Sequence, residues 1–246
     1  MGDADTRALV RQVLAHTVKL PPELRSDILA RGAEAVEPLV ELLRDESLAL
    51  ETAPGAGYAP VHAVELLARL KAPEGIAPMV RALLRREPGE VLHDALLYGL
   101  EELGAAVVPA ALEALADATT PEERFGLCAV LARSGVRDER IAAALLAQLQ
   151  EDPTQGAMNL ARYGDPGALE HLKRVLDAYP LDEDAEDLFA NQAIIELRGA
   201  IERLGGELSE SQWEKAERAR RSRQRLGAMF RRVLEELKCH LGGDSQ

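Results

Sequence analysis

The sequence predicts an all-α fold in which helical hairpins stack side by side into a right-handed α-α superhelix. The spacing from His62 to Pro78 recurs from His93 to Pro109, a shift of 31 residues (93 − 62), and a fixed period indicates a copied helical hairpin. Hydrophobic residues make up 47% of the chain but aromatic residues only 3%, so the core must be mostly Leu, Ala and Val, which favours helices over sheets. We therefore expect about five to six hairpins, closed by a long C-terminal capping helix.

Residues 1–31 are expected to form an N-terminal helical cap on this array. The apolar residues of segment 9–14 share one helical face. Pro21 and Pro22 break that helix, and Pro22 suits the first turn of the next helix, which Gly32 ends.

Residues 32–204 are predicted to hold the hairpin array. Pro38 and Pro78 are 40 residues apart (78 − 38), which is nine more than the period of 31, so a segment is inserted between two repeats. Gly and Pro punctuate residues 46–58, which identifies the insertion as a loop. Insertions in repeat arrays gather on one face, often the binding face, so this loop belongs to the expected binding surface.

Capping signals mark the later helices of the array. Thr120 followed by Pro121 and two acids predicts a helix start. Asp152 and Asp165, each followed by Pro, start two more helices. The acids of segment 182–187 predict a further helix start, because carboxylates stabilise a helix N-terminus.

Residues 205–246 are predicted to form a basic amphipathic C-terminal helix and tail. Segment 215–238 holds nine Lys or Arg residues and three acids, a local charge of +6; since the whole chain carries −13, the remainder carries −19. The apolar residues of this helix recur at helical spacing, and they are Trp213, Leu226, Met229, Phe230, Val233, Leu234 and Leu237.

Two interpretations of this C-terminal helix stay open. In the first, which we favour, it is a terminal cap whose apolar stripe covers the last repeat and whose arginines pair with the acidic body. In the second, it binds a membrane surface, RNA or an acidic partner. The contact residues of the second interpretation are Arg218, Arg221, Arg225 and Arg232.

Residues 60–84 carry a small residue after a basic one in the first helix, Pro78 early in the second helix, and the paired leucines Leu83 and Leu84. Residues 160–172 repeat part of this pattern. These units resemble the short HEAT repeats of bacterial proteins, a kind first noted in phycobiliprotein lyases.

The resemblance covers roughly residues 32–178 and implies a HEAT-like, armadillo-like α-solenoid whose second helices line the concave side. Such patterns are specific for a fold and leave the function open. The period is shorter than the ~40–47 residues typical of HEAT arrays, which indicates short two-helix units.

The concave side is the predicted contact surface for a protein partner. Its polar residues have mixed charges, whereas a groove for DNA would be uniformly basic. The residues expected to bind the partner are Glu37, Glu41, Arg44, Tyr58, Arg81, Arg85 and Arg86. Glu113 and Asp117 belong to the same predicted face.

His62, His93 and Arg124 occupy one register of the repeat. A functional interpretation is a cationic or metal-binding row, and a structural interpretation is a polar side chain that bonds a neighbouring loop. Successive repeats lie about 9–10 Å apart, too far for two histidines to share an ion at ~2.0–2.1 Å. We favour the structural interpretation.

The sequence lacks the motifs of several function classes. It contains no Gly-x-Ser-x-Gly, phosphate-binding loop, His-Glu-x-x-His or Cys-x-x-Cys motif, so we expect no catalytic residue, cofactor or metal. A net charge of −13 disfavours nonspecific nucleic-acid binding. Cys128 and Cys239 show no disulfide framework, and neither a signal core nor a run of about 18 apolar residues occurs, which predicts a cytoplasmic protein.

The sequence thus predicts a non-enzymatic scaffold or adaptor that binds a protein through the concave face of a solenoid. The first alternative is nucleic-acid binding through the basic C-terminal helix. The second alternative is a lyase or glycosylase-like HEAT enzyme, which would need a pocket of converging titratable groups.

Overall fold

Helices are the only regular secondary structure in the described part of the chain, as the sequence predicts. The computed structural model describes the backbone of residues 3–241 and the side chains of residues 4–232, and no strand occurs within that backbone range. The helices group into two compact units, unit 1 (Met1–Ile141) and unit 2 (Ala142–Gln246).

The described part of unit 1 contains eight complete α-helices. Its helices are α1 (Asp3–Arg11), α2 (Pro22–Ala30), α3 (Val36–Arg44), α4 (Ala59–Arg69), α5 (Ile76–Leu83), α6 (Val91–Leu103), α7 (Val108–Asp117) and α8 (Pro121–Arg133). Helix α9 (Glu139–Glu151) begins at the end of this unit. Unit 2 continues with α10 (Pro153–Tyr163), α11 (Leu169–Ala178), α12 (Gln192–Arg203) and α13 (Glu210–Leu241).

A short 3₁₀ turn precedes the second helix of several hairpins. These turns are Gly32–Ala35 before α3, Pro73–Gly75 before α5, Gly104–Val107 before α7 and Pro166–Ala168 before α11. Pro78 is the third residue of α5 and Pro109 the second residue of α7, so the two prolines occupy equivalent first-turn positions to within one residue. Proline is tolerated there because the first-turn N–H groups have no partner within the helix.

Consecutive hairpins of unit 1 contact one another through equivalent helices. The first helices α4, α6 and α8 touch in succession, and so do the second helices α3, α5 and α7. Large aliphatic side chains fill the space between them, as the composition predicts. The fully buried ones include Leu39, Leu66, Leu67, Met79, Leu96, Leu100, Leu127 and Leu131.

The predicted insertion, residues 46–58, is an ordered loop with two 3₁₀ turns, Glu46–Ala49 and Pro54–Gly57. It lies against the connection between α1 and α2, where a Cβ atom on Gly55 would come within 2.5 Å of the carbonyl oxygen of His16. Because that contact is made by backbone, only glycine fits at this point of the loop.

One stretch of the described backbone, Val91–Asp117, is apolar enough for a membrane span, with a mean hydropathy of 1.4. It is not a single helix. Helices α6 and α7 have 13 and 10 residues and are separated by the turn Gly104–Val107, in which Gly104 has φ +56°. Crossing a bilayer takes about 20 helical residues, so the stretch consists of two helices that are each too short to span.

Unit 2 is built around α12, which contacts α10, α11 and α13. Helix α10 approaches the end of α9 closely, because Gly156 leaves room for the backbone of Leu149. The buried amide of Asn159 donates a hydrogen bond of 2.9 Å to Gln148, so both groups are satisfied inside the unit.

The predicted helix start in segment 182–187 is wrong, because α12 begins only at Gln192. The aspartates bond locally instead: Asp182 accepts from the N–H of Asp184, and Asp187 accepts from the N–H of Phe189. Such turns offer the backbone an alternative to the helix. By contrast, Thr120 forms the predicted cap of α8.

Candidate functional site

An open groove runs between α5 and α7, two consecutive second helices of unit 1. Its cavity volume is about 290 Å³. We call it the α5–α7 groove, and its lining comprises Ala77, Val80, Arg81, Leu84, Ala110, Glu113, Ala114, Asp117, Ala118 and Glu123. The groove therefore has an apolar floor with charged residues around it.

The helical period explains why these residues share the groove. Ala77, Arg81 and Leu84 follow one another at steps of four and three along α5, which places them on one face. Ala110, Ala114 and Asp117 do the same on α7. The alanines keep the floor open, since a longer side chain there would fill the space between the helices.

The charge of the groove is negative, with three acids against one base. Asp117 is the last residue of α7, so the partial negative charge of the helix C-terminus adds to its carboxylate. Hydrogen bonds from the backbone N–H groups of Thr119 and Thr120 lower the pKa of Glu123, which stays ionised. Arg81 is exposed and forms no ion pair with any residue of the described range. The groove thus favours a cationic, partly apolar ligand.

Three of the residues predicted to bind a partner form ion pairs on the exposed side of α3. Arg44 pairs with Glu37 at 3.2 Å, and Arg7 of α1 pairs with Glu41 at 2.5 Å. Exposed pairs of this kind contribute about 0–1 kcal/mol each, so a partner could replace them at little cost.

Arg85 and Arg86 have a structural role. Both bond Glu46 at the start of the insertion loop, Arg85 at 3.1 Å, and Arg86 also lies 3.8 Å from Glu90. The side chain of Arg86 is only 16% exposed. These arginines therefore tie the loop of residues 46–58 to the end of α5.

Tyr58 lies in a different cavity of unit 1, with a volume of about 470 Å³, between the insertion loop and the start of α6. Residues from the two elements line it, including Glu51, Gly57, Glu90 and Val91. The structure therefore separates Tyr58 from Arg81, although the sequence placed them in one binding set. The structure also adds residues to the groove that the sequence did not predict as binding residues, among them Leu84, Ala110 and Glu123.

Two of the three residues in the register of His62, His93 and Arg124 hydrogen-bond a backbone carbonyl of a neighbouring loop. His62 is 1% exposed and donates from Nε2 to the carbonyl of Thr17 at 2.5 Å, and burial lowers its pKa. Arg124 donates to the carbonyl of Ala118. These bonds agree with the structural interpretation. Among the described residues no group of three or more His, Cys, Asp or Glu side chains could hold a metal ion.

The first half of the C-terminal helix α13 packs on unit 2. Its buried residues are Gln212, Ala216, Glu217, Ala219, Ser222 and Leu226, and all of them except Glu217 recur at steps of three or four on one face. Lys215 donates to the carbonyls of Leu176 and Asp177 at 2.8 and 2.9 Å, where a cation stabilises the C-terminus of α11. This half behaves as the favoured cap interpretation expects.

Most arginines proposed for the alternative interpretation are engaged within unit 2. Arg218 pairs with Glu183, Arg225 donates to the carbonyl of Glu183, and Arg221 bonds Glu217. The hydrogen bond from Arg220, together with Arg221, lowers the pKa of Glu217 to about 2.

Beyond Leu226, α13 is exposed as far as its side chains are described. Met229 and Phe230 are 58% and 49% exposed, and Trp213 at the other end is 49% exposed. The prediction that the whole apolar stripe covers the last repeat is therefore wrong for these three residues. The side chains of Val233, Leu234 and Leu237, which belong to the same predicted stripe, lie outside the described residues.

We call residues 229–232, the last part of α13 whose side chains the structure describes, the helix tip. Arg231 and Arg232, which follow the two exposed apolar residues, are exposed and form no ion pair within the described part of the chain. The chain contains only three phenylalanines, and two of them, Phe189 and Phe230, are exposed in unit 2. Exposed aromatic residues beside arginines are typical of contact surfaces.

No protein-family model matches the sequence. No curated protein matches it either. The functional argument therefore depends on the geometry and charge of the α5–α7 groove and the helix tip.

Proposed function

We propose that the chain is a non-enzymatic scaffold that binds a protein partner through its second helices, with the α5–α7 groove as the central contact. The observation that carries this proposal is an open groove, with an apolar floor and charged surroundings, between two equivalent helices of consecutive hairpins. Apolar area bordered by polar groups is what protein interfaces require.

The proposal includes a HEAT-like solenoid in which the second helices form the concave wall. Two observations support this arrangement in unit 1: the recurring 3₁₀ turn before the second helix, and the succession of contacts between equivalent helices. In a right-handed solenoid the grooves between second helices lie along one continuous surface. We place the protein in the cytoplasm, since its cysteines show no disulfide framework.

The dimensions of the groove favour a protein segment over a small ligand. Its volume of about 290 Å³ is slightly below the range of small-molecule sites, which measure roughly 300–1,000 Å³ and enclose most of the ligand surface. The α5–α7 groove is open along its length, so it suits side chains presented by another surface.

A photo-crosslinking amino acid at position 114 tests the proposal. Ala114 lines the groove, whereas Ala116 is exposed on the same helix outside it and supplies the matched control. We expect a defined protein adduct from position 114, absent from position 116 and lost when Ala110 is changed to Arg. Equal labelling from both positions, or no adduct from position 114, would contradict binding through the groove.

Nucleic-acid binding through the helix tip is the second candidate, because Arg231 and Arg232 are exposed without ion pairs in the described range. Binding of this kind falls steeply with salt, since each phosphate contact releases counterions. We would then expect salt-dependent retention of RNA or DNA by the full chain, lost on Arg231→Glu/Arg232→Glu. Absence of retention at low salt excludes this candidate.

A further inference from the structure

The helix tip and the α5–α7 groove have complementary chemistry. The tip presents two exposed apolar side chains followed by two arginines, and the groove presents an apolar floor beside Glu113 and Asp117. The arginines of the tip therefore offer positive charge to the acids of the groove, and the groove offers an apolar floor to Met229 and Phe230.

We propose that the α5–α7 groove of one molecule binds the helix tip of a second copy of the chain. This inference rests on the proposed function, because it names the partner of the same groove. The partner is a second copy of the same chain, and the contact is an amphipathic helix that lies in a groove.

Like charges oppose the two symmetric ways of pairing these surfaces. Two tips brought together would juxtapose Arg231 and Arg232 with the same residues of the other copy. Two grooves brought together would juxtapose Glu113 and Asp117 with their own counterparts. Like-charge contacts at an interface are unfavourable, so contact of tip with groove is the pairing that the charges favour.

The lengths of the two elements are compatible. From Ala77 to Leu84 the groove follows α5 for seven residues, about 10 Å or two helical turns. The helix tip lies three to six residues after Leu226, the last described buried residue of α13, which is about 5 to 9 Å along the helix axis. The tip is therefore short enough to lie along the groove of another molecule.

Contact between unlike surfaces has a consequence for assembly. Each copy has one groove and one tip, so bound copies can continue into chains or close into rings. The attraction depends on exposed charges, and salt weakens it. The protein should therefore self-associate with rising concentration at low salt and dissociate at high salt.

Sedimentation velocity on the full chain and two charge-reversal variants tests the inference. The groove variant is Glu113→Lys/Asp117→Lys, and the tip variant is Arg231→Glu/Arg232→Glu. A control variant, Glu74→Lys/Glu122→Lys, reverses two exposed acids of unit 1 that do not line the groove. We expect the groove and tip variants each to raise the dissociation constant of self-association by about tenfold or more, and the control to leave it unchanged.

Mixing the two variants in equal amounts gives the decisive result. The native tip of the groove variant fits the native groove of the tip variant, and the lysines introduced in the groove variant meet the glutamates introduced in the tip variant with opposite charge again. We therefore expect the mixture to recover self-association, including growth into longer chains as concentration rises. Restored association in the mixture, from two variants that are monomeric alone, requires the two surfaces to meet each other.

Other results overturn the inference. The inference is rejected if the wild-type protein stays monomeric at low salt and high concentration. It is also rejected if the mixture of the two variants stays monomeric. Loss of RNA or anionic-vesicle binding in the tip variant, without any effect on self-association, assigns the tip to that ligand and rejects this pairing. A crosslink from position 114 to another protein, with no self-association, rejects this inference and leaves the proposed function in place.

Discussion

Two helix contacts, one in unit 1 and one in unit 2, use glycine differently. In unit 1 a Cβ on Gly99 would meet side chains, coming within 2.6 Å of Val64 and 2.9 Å of Met79. In unit 2 a Cβ on Gly156 would meet backbone, within 2.3 Å of the Cα of Leu149. Side chains can change rotamer whereas the backbone of a packed helix cannot, so the contact of α6 with α4 and α5 should tolerate substitution of its glycine better than the contact between α9 and α10.

The largest effect is expected for Gly156→Ala. The new methyl group would force α9 and α10 apart, and we expect a loss of about 3 kcal/mol in the free energy of unfolding, at the upper end of overpacking costs. Trp213 is the only tryptophan and lies in unit 2, so urea unfolding followed by its fluorescence reports on this unit.

Gly199→Ala is the matched control for that measurement. Gly199 lies within α12 of the same unit, and no atom is within 4 Å of a Cβ built there. Alanine is the better helix former by about 1 kcal/mol, so this variant should be unchanged or more stable. A Gly156→Ala variant as stable as Gly199→Ala would show that the backbone contact is not restrictive.

Gly99→Ala in unit 1 should lower the free energy of unfolding by a smaller amount, about 1.5 kcal/mol, because the higher helix propensity of alanine partly offsets the cost of overpacking. Urea unfolding followed by circular dichroism measures it. Adding Val64→Ala removes the nearest obstructing atom, so the double variant should lose less than the sum of the two single losses. Additive losses would mean that the two side chains do not meet as the structure places them.

Thr120→Ala should destabilise unit 1 by about 1 kcal/mol. Thr120 accepts a hydrogen bond from the N–H of Glu123 at 3.2 Å, and the Glu123 carboxylate accepts from the N–H of Thr120 at 3.1 Å, which together form a capping box. Thr120→Ser retains the hydroxyl and should keep most of the stability. Equal losses in the two variants would indicate that the methyl group, and not the cap, matters.

The smallest effect is a dependence on pH through His62. Burial lowers the pKa of His62 below its ordinary value of 6.5, although hydrogen bonds to the backbone of Thr17 and His16 and the charge of Glu65 act in the opposite direction. The unfolded chain therefore binds more protons than the folded one just below pH 6.5, and stability falls as the pH drops through that range until it passes the folded pKa. The slope is at most about 1.4 kcal/mol per pH unit for one group.

Urea unfolding of wild type and His62→Gln between pH 7.5 and 5.5 checks this slope. Glutamine can still donate to the carbonyl of Thr17 but does not titrate. The variant should show a flatter profile than the wild type over this interval. Identical profiles would assign the pH dependence to other groups.

Local signals in the sequence predicted the helices well where one interaction dominates. The cap at Thr120, the prolines at 78 and 109 and the Gly-rich loop of residues 46–58 all follow from short-range sterics and hydrogen bonding. The segment 182–187 was predicted wrongly, because aspartates stabilise helix starts and tight turns by the same kind of bond to backbone N–H groups. Only the surrounding contacts decide between the two.

The candidate site was predicted in part. The period placed Arg81, Glu113 and Asp117 on second helices, and these residues do line one groove. The period could not show that Arg85 and Arg86 would bond Glu46, about 40 residues earlier in the chain. That bond depends on the path of the inserted loop, which has no counterpart in the repeat.

The sequence by itself determined the helical class and the charge contrast between the body and the C-terminal helix, because these follow from composition and from side-chain spacing along the chain. The tertiary structure alone decided which arginines form ion pairs, which acids border a groove, and where the side chains of α13 change from buried to exposed. Those outcomes depend on distances between residues remote in sequence, and periodicity constrains such distances only within a repeat.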